Sequence, residues 1–135
     1  MTETRNHILL ITHAPLAHAL RECALHVFAD CGHAVSALDV VPDENPEETL
    51  RSAQALMATH GGGNTLVLTD VLGATPCNVA HRLVQGGPAQ LLVGVNLPML
   101  LRAICYRHEP LVQMAEKALT GGQQGMASVT VSQVL

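Results

Sequence analysis

The chain has 135 residues, 48 % of them apolar and only 1 % aromatic, with 7 basic and 11 acidic side chains for a formal charge of −4. That length is one domain, and its core must be aliphatic, because Phe28 and Tyr106 are its only aromatic residues. With no basic run, no aromatics interleaved among Lys and Arg, no apolar stretch near the ~20 residues of a membrane span and no signal-peptide apolar region, the expectation is a cytoplasmic protein with neither nucleic-acid binding nor membrane insertion.

The first strand is expected over His7-Ile8-Leu9-Leu10-Ile11-Thr12, a continuous aliphatic and β-branched run. His13 then falls in the turn before Pro15, which opens a helical pattern over 15–31, with Leu16, Leu20, Ala24, Val27 and Phe28 on one face and Gly32 as its stop. A second strand covers 34–41. Asn45-Pro46-Glu47-Glu48 starts the next helix with a capping residue, a proline in the first turn and acid at the positive end of the dipole, and Gly61-Gly62-Gly63 ends it after about His60.

Thr65-Leu66-Val67-Leu68-Thr69-Asp70 is the third strand, again closed by a polar residue. Val71-Leu72-Gly73-Ala74 turns into a second start, with Thr75 as cap and Pro76 following, and that helix reaches about Gln85. Gln90 to Val95 forms strand four, Asn96-Leu97-Pro98 begins a further helix, Glu109-Pro110 breaks it, and a last helix stops at Gly121-Gly122. Alternation of strands and helices from end to end is the pattern of one domain, 1–135, built as a doubly wound α/β fold with a mainly parallel sheet and helices on both faces.

From Met126 onward, Val129, Val131 and Val134 partly alternate, as in a lone C-terminal edge strand reached through a flexible Gly121–Gly125 connection. An unpaired apolar edge invites pairing. A homodimer in which the tail joins a sheet edge of a second subunit is therefore expected on equal terms with a tail folded back on its own domain. Cys23, Cys31, Cys77 and Cys105 form no C-x-x-C pair and are read as reduced, semi-buried small residues. His18, His26 and His33 cannot share one helix face, and no metal-binding spacing occurs among the histidines, so no metal is expected.

Chemistry is expected at the crest. In a parallel sheet, the strands ending at His13 and Asp70 finish on the same side, where open α/β sheets bind ligands, and the two side chains can converge there if those strands are neighbours. A carboxylate that accepts the N–H of one imidazole nitrogen fixes the tautomer and leaves the other nitrogen's lone pair free to attack. Nearby, Gly73-Ala74 allows close backbone approach, Thr75 adds a hydroxyl, and the first amides of the following helix, from about Cys77 and Asn78, face outward with the positive end of its dipole. A second helix start at Pro15 lies beside His13, and two such termini favour a group with nearly two negative charges, such as a phosphoryl group. Each residue alone has a blander reading, as a turn former or a cap. Their joint placement carries the expectation.

Thr12-His13, Thr69-Asp70-Val71-Leu72-Gly73-Ala74-Thr75-Pro76-Cys77-Asn78 and Gly94-Val95-Asn96-Leu97-Pro98-Met99-Leu100 together resemble the IIA components of the mannose family of the bacterial phosphoenolpyruvate-dependent sugar phosphotransferase system. The resemblance spans essentially the whole chain, and Val41-Pro42-Asp43-Glu44-Asn45 is similar to the segment after the family's second strand. It implies a phosphotransferase in which His13 accepts phosphate from phospho-HPr and passes it to a IIB component, with Asp70 orienting the ring and Thr75 bonding the phosphoryl oxygens. No cofactor is implied. Ala14 stands where the family usually has glycine, and Thr75 where it often has serine, which keeps the hydroxyl. A regulatory role, in which a partner senses the phosphorylation state, uses the same chemistry. A receiver-like domain needs an acidic pair near the end of strand one, where this chain has Thr12-His13, and a small-ligand binding module with an inert His13 is the remaining alternative.

Overall fold

Strand β1 (His7–His13) is the centre of the molecule, and its residues Ile8 to Ile11 have no exposed surface at all in a computed structural model that describes residues 5–59, 64–85 and 87–130. Four apolar residues in sequence can be buried together only when both faces of a strand are covered. The helix α1 (Leu16–Val27), strand β2 (Val35–Val40), helix α2 (Pro46–Ala58), strand β3 (Thr65–Thr69), helix α3 (Thr75–Val84), strand β4 (Ala89–Val93) and helices α4 (Leu97–Cys105) and α5 (Leu111–Gln124) follow in chain order. Among the described residues the strands form one parallel sheet in the order β2-β1-β3-β4.

The pleat sorts the side chains into two cores. Ile8, Leu10, Leu66 and Leu68 meet Ala17 and Ala24 of α1, Leu100 and Ala103 of α4, and Met114 and Ala118 of α5. Leu9, Ile11 and Val67 meet Ala53 of α2 and Ala80 and Leu83 of α3. Fully burying a Leu, Ile, Val or Met side chain contributes about 1.5–3 kcal/mol. The doubly wound architecture is as the sequence leads one to expect.

Several boundaries depart from expectation. The helix expected over 15–31 ends at Val27, and Ala29–Ala34 is a 3-10 turn. Arg21 holds that turn, donating from Nε to the Val35 carbonyl at 2.7 Å and from its terminal nitrogen to the Gly32 carbonyl at 2.8 Å. Asn45 caps α2 as expected, its side chain accepting the Glu47 N–H at 2.9 Å. At α3, however, Ala74 occupies the cap position without a side-chain bond, and Thr75 is already helical.

Gly121-Gly122 does not stop the last helix, nor is the following segment a flexible connection, since α5 continues to Gln124. These glycines mark a close approach instead: a Cβ on Gly121 would stand 2.9 Å from the Arg102 Cβ, and one on Gly125 would stand 2.5 Å from the Pro98 ring. Of the expected C-terminal edge strand, 126–130 carry no regular secondary structure, and Val131 and Val134 lie outside the described residues, as do His60 and the triple glycine after α2. The cysteines are free, with Cys77 buried and Cys31 half-buried, but Cys23 and Cys105 are exposed rather than semi-buried.

Candidate active site

The strand order places the chemistry. From β1 the chain moves to β2 on one side, and β3 then lies on the other, so the C-terminal ends of β1 and β3 flank the point where the winding reverses. His13 is the last residue of β1, and Asp70 directly follows β3. His13 pairs in register with Val40, a member of the core under α2 and α3, so both belong to that face of the sheet. Thr12 pairs with Asp39, which belongs to the α1 face.

His13 and Asp70 meet twice. The backbone N–H of His13 donates to Asp70 Oδ2 at 3.0 Å, and the imidazole Nδ1 lies 2.8 Å from the same oxygen. The other oxygen, Oδ1, accepts the Val71 N–H at 2.9 Å. A carboxylate only accepts, so the ring proton sits on Nδ1 and the lone pair on Nε2. The two side chains differ in exposure: 55 % for His13 and 10 % for Asp70. Burial pushes the Asp70 carboxyl up, but the hydrogen bonds from the His13 backbone, the His13 ring and the Val71 N–H together outweigh it and hold the group below the usual carboxylate range. Asp70 is thus a fixed anion behind an accessible ring.

His13 opens onto a cleft of about 210 Å³ bounded by Val40, Val41, Pro42, Asp43, Glu44, Thr75 and Pro76. Of the five expected phosphate-binding residues, Thr75 lines this cleft. Gly73 and Ala74 form the turn leading to it, where Gly73 adopts φ +86°, and Cys77 lies buried in the first turn of α3. Asn78 does not offer its amide, because that N–H closes the first helical hydrogen bond to the Ala74 carbonyl at 2.9 Å. The N–H groups left without a partner inside the helix are those of Thr75 and Cys77.

The second helix terminus is also not open. Asp39 Oδ1 accepts the N–H groups of Ala17 and His18 at 3.0 and 3.3 Å, and Asp39 Oδ2 is 2.7 Å from His18 Nδ1. The start of α1 is therefore closed by a carboxylate, and the positive end facing an incoming dianion is that of α3 alone. Sequence reading gave no site role to Asp39 or to 41–44, although 41–45 resembles the segment after the family's second strand. Asp39 carried a signal, as the one charged residue of the second strand, but only strand register shows that it lies level with Thr12 and which helix it meets.

The arrangement suits attack by Nε2 on a phosphoryl group held against backbone amides and a hydroxyl. Acidic ligands for a cation do not gather here: among the described residues no three His, Cys, Asp or Glu side chains come together as a metal-binding group.

Comparison with known proteins identifies the family. The family model described as "PTS system fructose IIA component" matches residues 7–119. The sorbose-specific EIIA component of Klebsiella pneumoniae is 25 % identical over 103 residues, covering 76 % of this chain and 75 % of that protein. Its counterpart from Lacticaseibacillus casei is 27 % identical over 95 residues, 70 % and 68 % of the two chains. The solved mannose/sorbose-specific IIA subunit from Enterococcus faecalis shares the fold, with a TM-score of 0.87 at 21 % identity over 98 % of this chain and 100 % of that one. Among the described residues no helix is long and apolar enough to cross a membrane. With a family model spanning most of the chain and the same fold in a solved relative, this protein belongs to the mannose-family IIA components of the sugar phosphotransferase system, and its role is that of a phosphocarrier in sugar transport.

Proposed function

We propose that His13 is the phosphoryl acceptor, that HPr is the donor and a IIB component the next acceptor, and that the exchange takes place in the cytoplasm. The observation that carries this reading is the 2.8 Å contact between His13 Nδ1 and Asp70, which leaves Nε2 free on a half-exposed ring at the cleft. Nε2 forms a bond to phosphorus as the phosphorus–nitrogen bond of phospho-HPr breaks, and the released electron pair returns to the donor's imidazole. The Nδ1 proton stays in place, and Asp70 stabilises the positive charge that spreads over the ring. Thr75 Oγ1 and the N–H groups of Thr75 and Cys77 receive the phosphoryl oxygens, with Gly73 and Ala74 shaping the approach. The reverse sequence delivers the group to IIB.

The test is incubation with phosphoenolpyruvate, enzyme I and HPr. A mass gain of one phosphoryl group, lost in His13→Ala and resistant to base, supports the assignment, and a gain that survives His13→Ala refutes it. The regulatory alternative shares this chemistry and separates only through the acceptor, a IIB component or a sensing partner, which capture of the unphosphorylated form would identify.

We also propose a homodimer. β4 lies at an edge of the sheet, and Met126 and Val129 beyond α5 are 70 % and 59 % exposed, which suits pairing of the tail with a second subunit. A chain ending at Gly125 should then lose its dimer in sedimentation. An unchanged oligomer excludes exchange of the tail.

A further inference from the structure

The turn after β2 holds a residue that its backbone does not favour. The Glu44 N–H donates to the Val41 carbonyl at 3.2 Å, closing a four-residue turn with Pro42 and Asp43 at its centre. Asp43 has φ +65° and is the only residue other than glycine with positive φ among the described residues. A turn with proline second and positive φ third is of type II, and its third position is the place of glycine. Here that position carries a carboxylate on the wall of the His13 cleft.

The neighbouring acid is already engaged. Glu44 accepts the Val41 N–H at 3.3 Å and the Thr49 hydroxyl, which ties the turn to the start of α2. Asp43 is exposed, and no hydrogen bond or ion pair among the described residues engages its carboxylate. The cleft contains no Lys or Arg among its described lining residues. A phosphoryl dianion entering it meets amides and a hydroxyl, and no cation among those described residues. The cleft wall combines the Asp43 carboxylate with the exposed apolar side chain of Val41, 50 % exposed.

We propose that Asp43 is a specificity-determining residue that pairs with a Lys or Arg of the phosphoryl donor protein as it docks over His13. This rests on the reading of His13 as the acceptor. The cation that the cleft lacks is brought by the donor, and Asp43 fixes where it sits. Complementary rim charges mainly set encounter rate and partner choice, and their effect fades with salt.

The experiment is steady-state phosphorylation of the full chain by phospho-HPr at low and high ionic strength, for wild type, D43N and D43G. Glycine is the residue the turn prefers, so D43G keeps the fold, as thermal unfolding verifies. Both variants should raise the KM for phospho-HPr about two- to fivefold at low salt, the range of an exposed ion pair, with kcat unchanged and the difference closing at high salt. An unchanged KM at low salt overturns the pairing. So does a difference that persists at high salt, or one expressed in kcat, which would place Asp43 on the phosphoryl group instead. If the wild type itself gains no phosphoryl group on His13, the underlying reading fails and not the pairing alone.

Discussion

Replacing Asp70 with asparagine removes the charge and leaves the shape, and the hydrogen-bond pattern predicts the outcome. The carboxylate now accepts from His13 N at 3.0 Å, His13 Nδ1 at 2.8 Å and Val71 N at 2.9 Å. An amide cannot serve all of these. With its oxygen toward His13, its NH2 faces the Val71 N–H. Turned around, its NH2 faces the His13 backbone N–H and forces the ring proton onto Nε2, which abolishes the nucleophile. A hydrogen bond to a charged group contributes about 1.5–3 kcal/mol, so at about 1.4 kcal/mol per decade Asp70→Asn should slow phosphorylation by about tenfold to a hundredfold. Quench-flow transfer from phospho-HPr followed by intact mass measures this. A wild-type rate in a folded Asp70→Asn variant would show that Asp70 neither orients nor charges the ring.

The same substitution has a pH signature. Asp70 has a folded-state pKa below its unfolded value, so its contribution to stability is present above the unfolded carboxylate range near pH 4 and is lost as pH falls through the folded value. The stability gap between wild type and Asp70→Asn, read by urea denaturation, should therefore be open at neutral pH and shrink in acid. A gap that widens in acid contradicts the assigned direction.

Substitutions at three further positions probe other links. Asp39→Ala removes the acceptor of the Ala17 and His18 amides, and should cost about 1–2 kcal/mol in urea denaturation, the scale of a lost helix cap, while the folded variant still accepts phosphate on His13. Thr75→Val keeps the shape but deletes the hydroxyl on the cleft wall, and should slow phosphorylation about tenfold to a hundredfold, the cost of one hydrogen bond to a charged group, with Thr75→Ser close to wild type; equal rates for Val and Ser would remove the hydroxyl from the mechanism. Gly125→Ala places a methyl 2.5 Å from the rigid Pro98 ring and should destabilise by about 1–3 kcal/mol despite the lower entropy of the unfolded chain, a sign that thermal unfolding checks.

Local pattern was enough wherever one residue's surroundings are set by its sequence neighbours. The aliphatic run before His13 has no polar position to turn toward water, so it had to be a strand covered on both faces. Asn45-Pro46-Glu47 carries a whole helix start within one turn, and it forms as read. Because parallel strands align their ends, His13 and Asp70 were expected on the same side of the sheet, but their meeting required β1 and β3 to be neighbours, which the strand order decides.

What the sequence could not decide were contacts between segments distant along the chain. Gly121-Gly122 reads as a helix stop until α4 is seen packed so close that a Cβ on Gly121 would meet the Arg102 Cβ at 2.9 Å. Pro15 reads as an open helix terminus, yet register with β2 brings Asp39 to its amides and closes it. Asp43 is one acid among several in the sequence, and only the turn it occupies and the histidine across the cleft distinguish it. Hydrophobic periodicity and capping act within a few residues and so are written in order along the chain, whereas donor satisfaction and close packing depend on which elements the sheet makes neighbours.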